Sequence, residues 1–217
     1  MNTAVRALRR RILTPNLAQT RVSKRGFHLG EPADLHMIET VGECFLTGYA
    51  HAVETGSPQH VGGLLDEVSD RYRGFAFEGA AMGFTVMDAL SPRGGRLADF
   101  LSGVGHPHLY MAYVGVGWAL ARLPRPLWPK PTGFDPVLRW LVLDGYGFHQ
   151  AYFHTRRFVR EHAVDTRPAR WAQDPGYATR ALDQGVGRAL WFVACADPGR
   201  AIDLVESFPP ERRPDLR

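Results

Sequence analysis

Apolar residues along this chain recur mostly every three or four positions, and no run alternates strictly between apolar and polar. That spacing predicts helices at about 4–13, 33–55, 59–70, 74–90, 95–101, 106–123, 134–161, 175–195 and 197–207. Helix breakers separate them: "SPRGG" at 91–95, "LPRPLWPKPTG" at 123–133, "DPG" at 197–199 and "FPPERRP" at 208–214. The Pro-rich stretch 124–136 is the strongest internal boundary. Helices of the same texture lie on both sides of it, so the expectation is one all-α domain over residues 26–217.

Within that helical pattern a loose repeat appears. Gly-x-Gly followed by a large apolar face occurs at Gly115/Gly117 ("GVGWALA"), Gly145/Gly147 ("GYGFHQAYF") and Gly185/Gly187 ("GVGRALWF"), while "FEGAAMGF" sets Gly79 and Gly83 four apart. The spacings of 30 and 40 residues resemble those of helix-pair repeats. A glycine inside a helix costs about 0.8–1 kcal/mol against alanine. So many of them point to helices whose backbones approach closely, with aromatic rings filling the grooves. The expected fold is an array of Gly-rich helical hairpins of the TPR/HEAT kind.

Composition is that of an ordinary globular protein, with 45% hydrophobic and 22% charged residues, and no uncharged apolar run is long enough to span a bilayer. The formal charge of +4 misleads. Arg6, Arg9, Arg10, Arg11, Arg21, Lys24 and Arg25 face no acid within residues 1–30, so the rest of the chain is left at −3. Basicity belongs to a flexible arm over residues 1–25 and not to a nucleic-acid-binding face. A solvated leader explains that arm better than a membrane anchor does. Cys44 and Cys195 match no metal spacing and no secretory signal precedes them, which fits reduced thiols in a cytoplasmic protein.

The densest chemistry is "DGYGFHQAYFH", Asp144 to His154. On a helix Asp144, Phe148, Tyr152 and Thr155 share a face, with His149 turned about 140° away and His154 about as far again. Two histidines so placed cannot grip one metal, which asks for four-residue spacing. Either the stretch is close packing around Gly145 and Gly147, or Asp144 and His149 work as acid and base beside ligand contacts from Tyr146, Phe148, Tyr152 and His154. Glu78, in "RGFAFEGAAMGF", sits in a similarly apolar helix and needs a cationic partner, for which Arg73, Arg188 or a histidine would serve. Asp183 and Arg188, in "LDQGVGRALWF", read as another interhelical pair. Glu78, Asp144, His149 and Asp183 could equally line an aromatic cavity as an acid–base set. His106 and His108 lack supporting ligands, "DEVSD" at 66–70 reads as a solvated face, and the Gly-x-Gly elements lack the third glycine and strand of a dinucleotide site. Neither a metal nor a cofactor is expected.

Taken together, "KRGFHLGEPA", "VGECFLTGYAHAV", "RGFAFEGAAMGFTVMDAL", "GHPHLYMAYVGVGWALARLP", "LRWLVLDGYGFHQAYFH" and "DQGVGRALWFVACAD" resemble the bacterial family catalogued as domain of unknown function 1702. The resemblance runs from about Lys24 to Arg217. It implies an actinobacterial protein of an enediyne biosynthetic cassette. Family members continue past the equivalent of "FPPERRPDL", which would make this chain a truncated or a divergent member. The expected function is an accessory role in enediyne-type polyketide biosynthesis, handling an apolar polyene-like intermediate by proton transfer or cyclisation. The alternative is a non-catalytic helical-repeat scaffold that docks pathway enzymes.

Overall fold

The computed structural model describes residues 3–91, 93–171 and 174–217; residues 1 and 2 of the expected arm lie outside them. Among the described residues all regular structure is helical. The α-helices are α1 (Thr3–Leu13), α2 (Val22–Arg25), α3 (Pro32–Thr55), α4 (Pro58–Asp66), α5 (Asp70–Ala89), α6 (Arg96–Ser102), α7 (Leu109–Arg122), α8 (Trp140–Phe153), α9 (Pro175–Val193), α10 (Pro198–Ser207) and α11 (Arg213–Leu216). None is long and apolar enough to cross a membrane. The chain divides into two compact units, one made of residues up to Gln19 with Thr40–Pro129, the other of Thr20–Glu39 with Lys130–Arg217. The division after Pro129 falls inside the Pro-rich stretch.

Local chemistry explains where the helices begin. Asp174 and Asp197 each stand just before a Pro-Gly pair. Their side chains accept the backbone N–H of Tyr177 and of Arg200, both at 3.1 Å, and the proline sits where no N–H is needed. The "DPG" read as a breaker is thus also a helix start. The helix expected over 134–161 is split. Asp135 Oδ1 accepts N–H groups from Val137 at 2.8 Å and Leu138 at 2.9 Å, holding the chain in a turn until Trp140. α8 then closes at Phe153, and a π-helical turn follows at Arg156–Arg160. In the first unit α1 is fastened by its arginines. Arg9 donates to the Glu54 carbonyl and Arg10 to the Glu54 carboxylate, both at 2.7 Å.

Each unit is built on glycine crossings. In the first, a methyl on Gly79 would stand 1.9 Å from the Phe45 carbonyl oxygen, one on Gly48 1.8 Å from that of Ala76, and one on Gly115 1.9 Å from that of Glu78. Around these contacts pack Phe45, Leu46, Tyr49, Val53, Met82, Met87 and Ala119, with Trp118 4.6 Å from the Phe45 ring. In the second unit α8 and α9 cross reciprocally: a methyl on Gly147 would stand 2.1 Å from the Leu182 carbonyl oxygen and one on Gly185 1.8 Å from that of Asp144. These pairings run in opposite senses, so the two helices are antiparallel. A methyl on Gly187 would likewise stand 2.2 Å from the Leu216 carbonyl oxygen of α11. Any side chain at these positions would prevent the approach.

Candidate functional site

α8 is buried on every side from Val142 to Tyr152. A helix enclosed all round takes its polar side chains into the core, where each needs a partner. Asp144, 5% exposed, meets Arg188 of α9 in a two-pronged contact: Arg188 Nε donates to Oδ2 at 3.1 Å and Nη2 donates to Oδ1. The arginine lies 5.1 Å from the Phe148 ring centre and reaches solvent. Burial pushes the Asp144 carboxyl above the usual carboxylate range, while the Arg188 charge and hydrogen bonds pull against it. The arginine expected to pair with Asp183 is therefore engaged by Asp144. Asp183 is instead clamped by Arg212, whose Nε donates to Oδ2 at 2.9 Å and Nη2 to Oδ1 at 2.5 Å. Arg212 also donates to the His162 carbonyl at 2.6 Å. Sequence spacing missed this partner because it comes from beyond α10.

A third polar knot was equally hidden. The Tyr146 hydroxyl donates to Asp165 at 2.8 Å, and Gln150 Nε2 reaches the same oxygen at 3.4 Å. Arg167 closes it from solvent with Nε at 2.9 Å and Nη2 at 2.6 Å. Burial pushes the Tyr146 phenol up to about 12, helped by its bond to Asp165. Burial acts upward on Asp165 too, but the hydrogen bonds from Arg167 and Tyr146 outweigh it and hold that carboxyl below its usual range. The loop carrying Asp165 has no periodicity to announce it. An Asp two residues before an Arg-Pro pair was the available signal.

The face predicted to carry Asp144, Phe148 and Tyr152 forms a row. Phe148 and Tyr152 stack at 5.8 Å, Phe192 of α9 meets Phe148 edge-on at 5.1 Å, and Phe27 meets Tyr152 edge-on at 5.1 Å. Arg25 lies 4.3 Å from the Phe153 ring and 5.6 Å from that of Tyr152. Burial raises the Tyr152 phenol to about 12 against the Arg25 charge. His149, 5% exposed, lies 4.5 Å from the Phe153 ring, and His154 is exposed where the helix ends. Asp144, Tyr146, Phe148, His149, Tyr152, Asp183 and Arg188 thus share one unit, and Glu78 belongs to the other.

Glu78 nevertheless illuminates Asp144. The carbonyl of Glu78 fills the gap at Gly115 as that of Asp144 fills the gap at Gly185, and the two glycines open near-identical segments, "GVGWAL" and "GVGRAL". Aligned on these contacts, the unbroken buried run Ala76–Thr85 of α5 overlies Val142–Ala151 of α8. Three polar side chains of the second unit then fall on apolar or glycine positions of the first, Tyr146 on Ala80, His149 on Gly83 and Gln150 on Phe84, while Asp144 falls on Glu78, Asp183 on Tyr113 and Arg188 on Trp118. The crossing itself does not require Tyr146, His149 or Gln150.

Among the described residues no group of three or more histidines, cysteines or acids is arranged to hold a metal. His108 packs on Phe77 with ring centres 4.1 Å apart and planes tilted by 30°, and Asp66, Glu67 and Asp70 of "DEVSD" are exposed. A family model described as "Protein of unknown function (DUF1702)" matches residues 4–217. No curated protein and no solved structure matches the chain.

Proposed function

The chain belongs to the DUF1702 family of proteins of unknown function, and from that premise we propose that it is a cytoplasmic accessory protein of enediyne-type polyketide biosynthesis. In this reading it handles an apolar, polyene-like intermediate, with proton transfer or cyclisation as the chemistry. The pathway comes from the family resemblance alone. The single observation that supports a working site is the presence of Tyr146, His149 and Gln150 where an otherwise matching helix crossing has Ala80, Gly83 and Phe84. Packing is satisfied without those groups in the first unit, so their retention in the second calls for another reason. His149 is the group to exchange a proton, Asp144 with Arg188 a charged pair on another face of the same helix, and Phe148, Tyr152 and Phe192 the surface for a conjugated chain. The glycines supply no groove, since backbone carbonyls occupy the space beside them. The matched crossings also favour a helical-hairpin array as the architecture.

A scaffold that docks pathway enzymes is favoured by a different observation. Asp144, Asp165 and Asp183 are each taken up by an arginine, as in a purely structural core. His149→Gln separates the two readings, because glutamine keeps donor and acceptor capacity but cannot exchange a proton near neutral pH. For a working site, a producing strain lacking the gene and supplied with this variant should make little product while the variant's thermal transition stays near wild type. Full complementation would remove His149 from the site and leave the scaffold.

A further inference from the structure

We infer that residues 197–217, carrying α10 and α11, form a hinged strap that swings away from α9 as one piece about Cys195 and Ala196, and so gates the face of α9 that holds Asp183 and Gly187. The motion does not rest on the working-site reading of the second unit; the use of the uncovered face by a ligand does.

Little of this segment belongs to the core. Its buried side chains are Phe208 and Leu216, and α10 contributes none. The segment is fastened to itself. Glu206 holds both Arg213 at 2.8 Å and Arg217 at 3.0 Å, and Arg213 also donates to the Phe208 carbonyl at 2.8 Å, so α10 and α11 move together. Side-chain tethers attach it to the rest of the unit. Arg212 clamps Asp183 of α9 and donates to the His162 carbonyl at 2.6 Å. The His162 ring packs on Phe208 with centres 4.2 Å apart. Its Nε2 lies 3.2 Å from the Ser207 hydroxyl oxygen, whose own proton goes to the Leu204 carbonyl at 2.6 Å, so the histidine is the donor. Asp215 takes Arg180 at the surface at 3.0 Å, and the Leu216 carbonyl is seated against Gly187.

The backbone is strained at the two places where such a strap turns and is caught. Among the described residues the non-glycine positions with positive φ are His162 at 51°, Cys195 at 51° and Ala196 at 60°. Cys195 and Ala196 join α9 to α10. There the Ala196 N–H returns to the Trp191 carbonyl and the Cys195 N–H to that of Phe192, both at 3.0 Å, a helix cap whose left-handed position is ordinarily glycine. His162 is the residue that receives Arg212, Ser207 and Phe208. Side chains in the left-handed region cost free energy that surrounding contacts must sustain, and such strain gathers where a structure has two states. Here it falls on the hinge and the latch of one segment. A segment held by a few tethers against that strain opens at a lower free energy than the unit as a whole. Opening frees Asp183 from Arg212 and clears Gly187, while the α8–α9 crossing at Gly147 and Gly185 does not involve the strap.

Hydrogen–deuterium exchange of the full chain, read by mass spectrometry, is the test. Asp183→Asn/Arg212→Gln removes the ionic latch without leaving a bare buried charge. Asp165→Asn/Arg167→Gln breaks an ion pair of the same unit outside the strap and serves as the control. We expect amides of α10, of α11 and of the turn between them to exchange at least about tenfold faster in the latch variant, with those of α8 and the middle of α9 changing by under about twofold. The control should leave strap exchange within about twofold of wild type. Unchanged strap exchange, acceleration confined to α11, equal acceleration of α8 and α9, or equal acceleration in the control would each overturn the inference. Should the latch variant fold poorly, Leu216→Ala, which removes a buried peg of the strap, is read in its place with the same outcomes. Exchange is measured without reference to product formation, so a failed strap and a failed working site at His149 are told apart.

Discussion

Replacing Gly185 by alanine adds a single methyl group, yet the α8–α9 crossing has no room for it. The new carbon would stand 1.8 Å from the Asp144 carbonyl oxygen and 2.7 Å from the Phe148 nitrogen, where ordinary contact begins near 3.4 Å. Both obstacles are backbone, so no side chain can rotate away. The helices must part by about 1.6 Å, close to half the width of a carbon contact. Parting them also loosens the reciprocal seat of Gly147 on Leu182 and the Asp144–Arg188 pair that spans the same helices. Overpacking typically costs 1–3 kcal/mol; a backbone obstacle puts this case at about 3 kcal/mol or above. For a chain of this length that is a fall of about 6–12 °C in Tm. Gly63 is the internal control. It is exposed in α4 with nothing within 4 Å of the added methyl, so alanine there gains helix propensity unopposed, about 0.5–1 kcal/mol in the stabilising direction. Thermal unfolding followed by circular dichroism reads both. A Gly185→Ala protein melting within a degree or two of wild type would refute the close-crossing account.

Arg212→Ala should destabilise by about 3–5 kcal/mol in urea unfolding, because it strands a buried Asp183 carboxylate. Adding Asp183→Asn should recover a substantial part, and no recovery would mean the pair is not coupled. Asp165 has its carboxyl held below the unfolded value of about 3.9, so its stabilisation is present above that pH and lost as pH falls through the folded value. Asp165→Asn should therefore be less stable than wild type at pH 6, with the gap closing on acidification; a gap constant to pH 2.5 would contradict the assignment. Tyr146 and Tyr152 stay protonated to about 12, whereas unfolded phenols ionise near 10. Wild type should lose stability as pH rises past about 10, and Tyr146→Phe/Tyr152→Phe should lose less over that window, measured by urea unfolding at pH 8, 10 and 11.

Helix positions were legible in the sequence because period-3.6 burial is written locally. The expectation at 74–90 became Asp70–Ala89, and that at 175–195 became Pro175–Val193. The meaning of the glycines was legible too, since a residue that weakens a helix is retained where backbones must meet. The face holding Asp144, Phe148 and Tyr152 followed from 100° per residue. Helix breaks set by side-chain hydrogen bonds, such as that of Asp135, did not follow from periodicity. Partner choice lay further out of reach. Asp183 found Arg212 from beyond α10, Asp144 took Arg188, and Tyr146 found Asp165 in an irregular loop. Periodicity tells a buried carboxylate which way it points, but the cation that neutralises it is whichever one the other elements bring within reach. Only the tertiary structure decides that, because pairing depends on distances between segments that the local pattern does not encode.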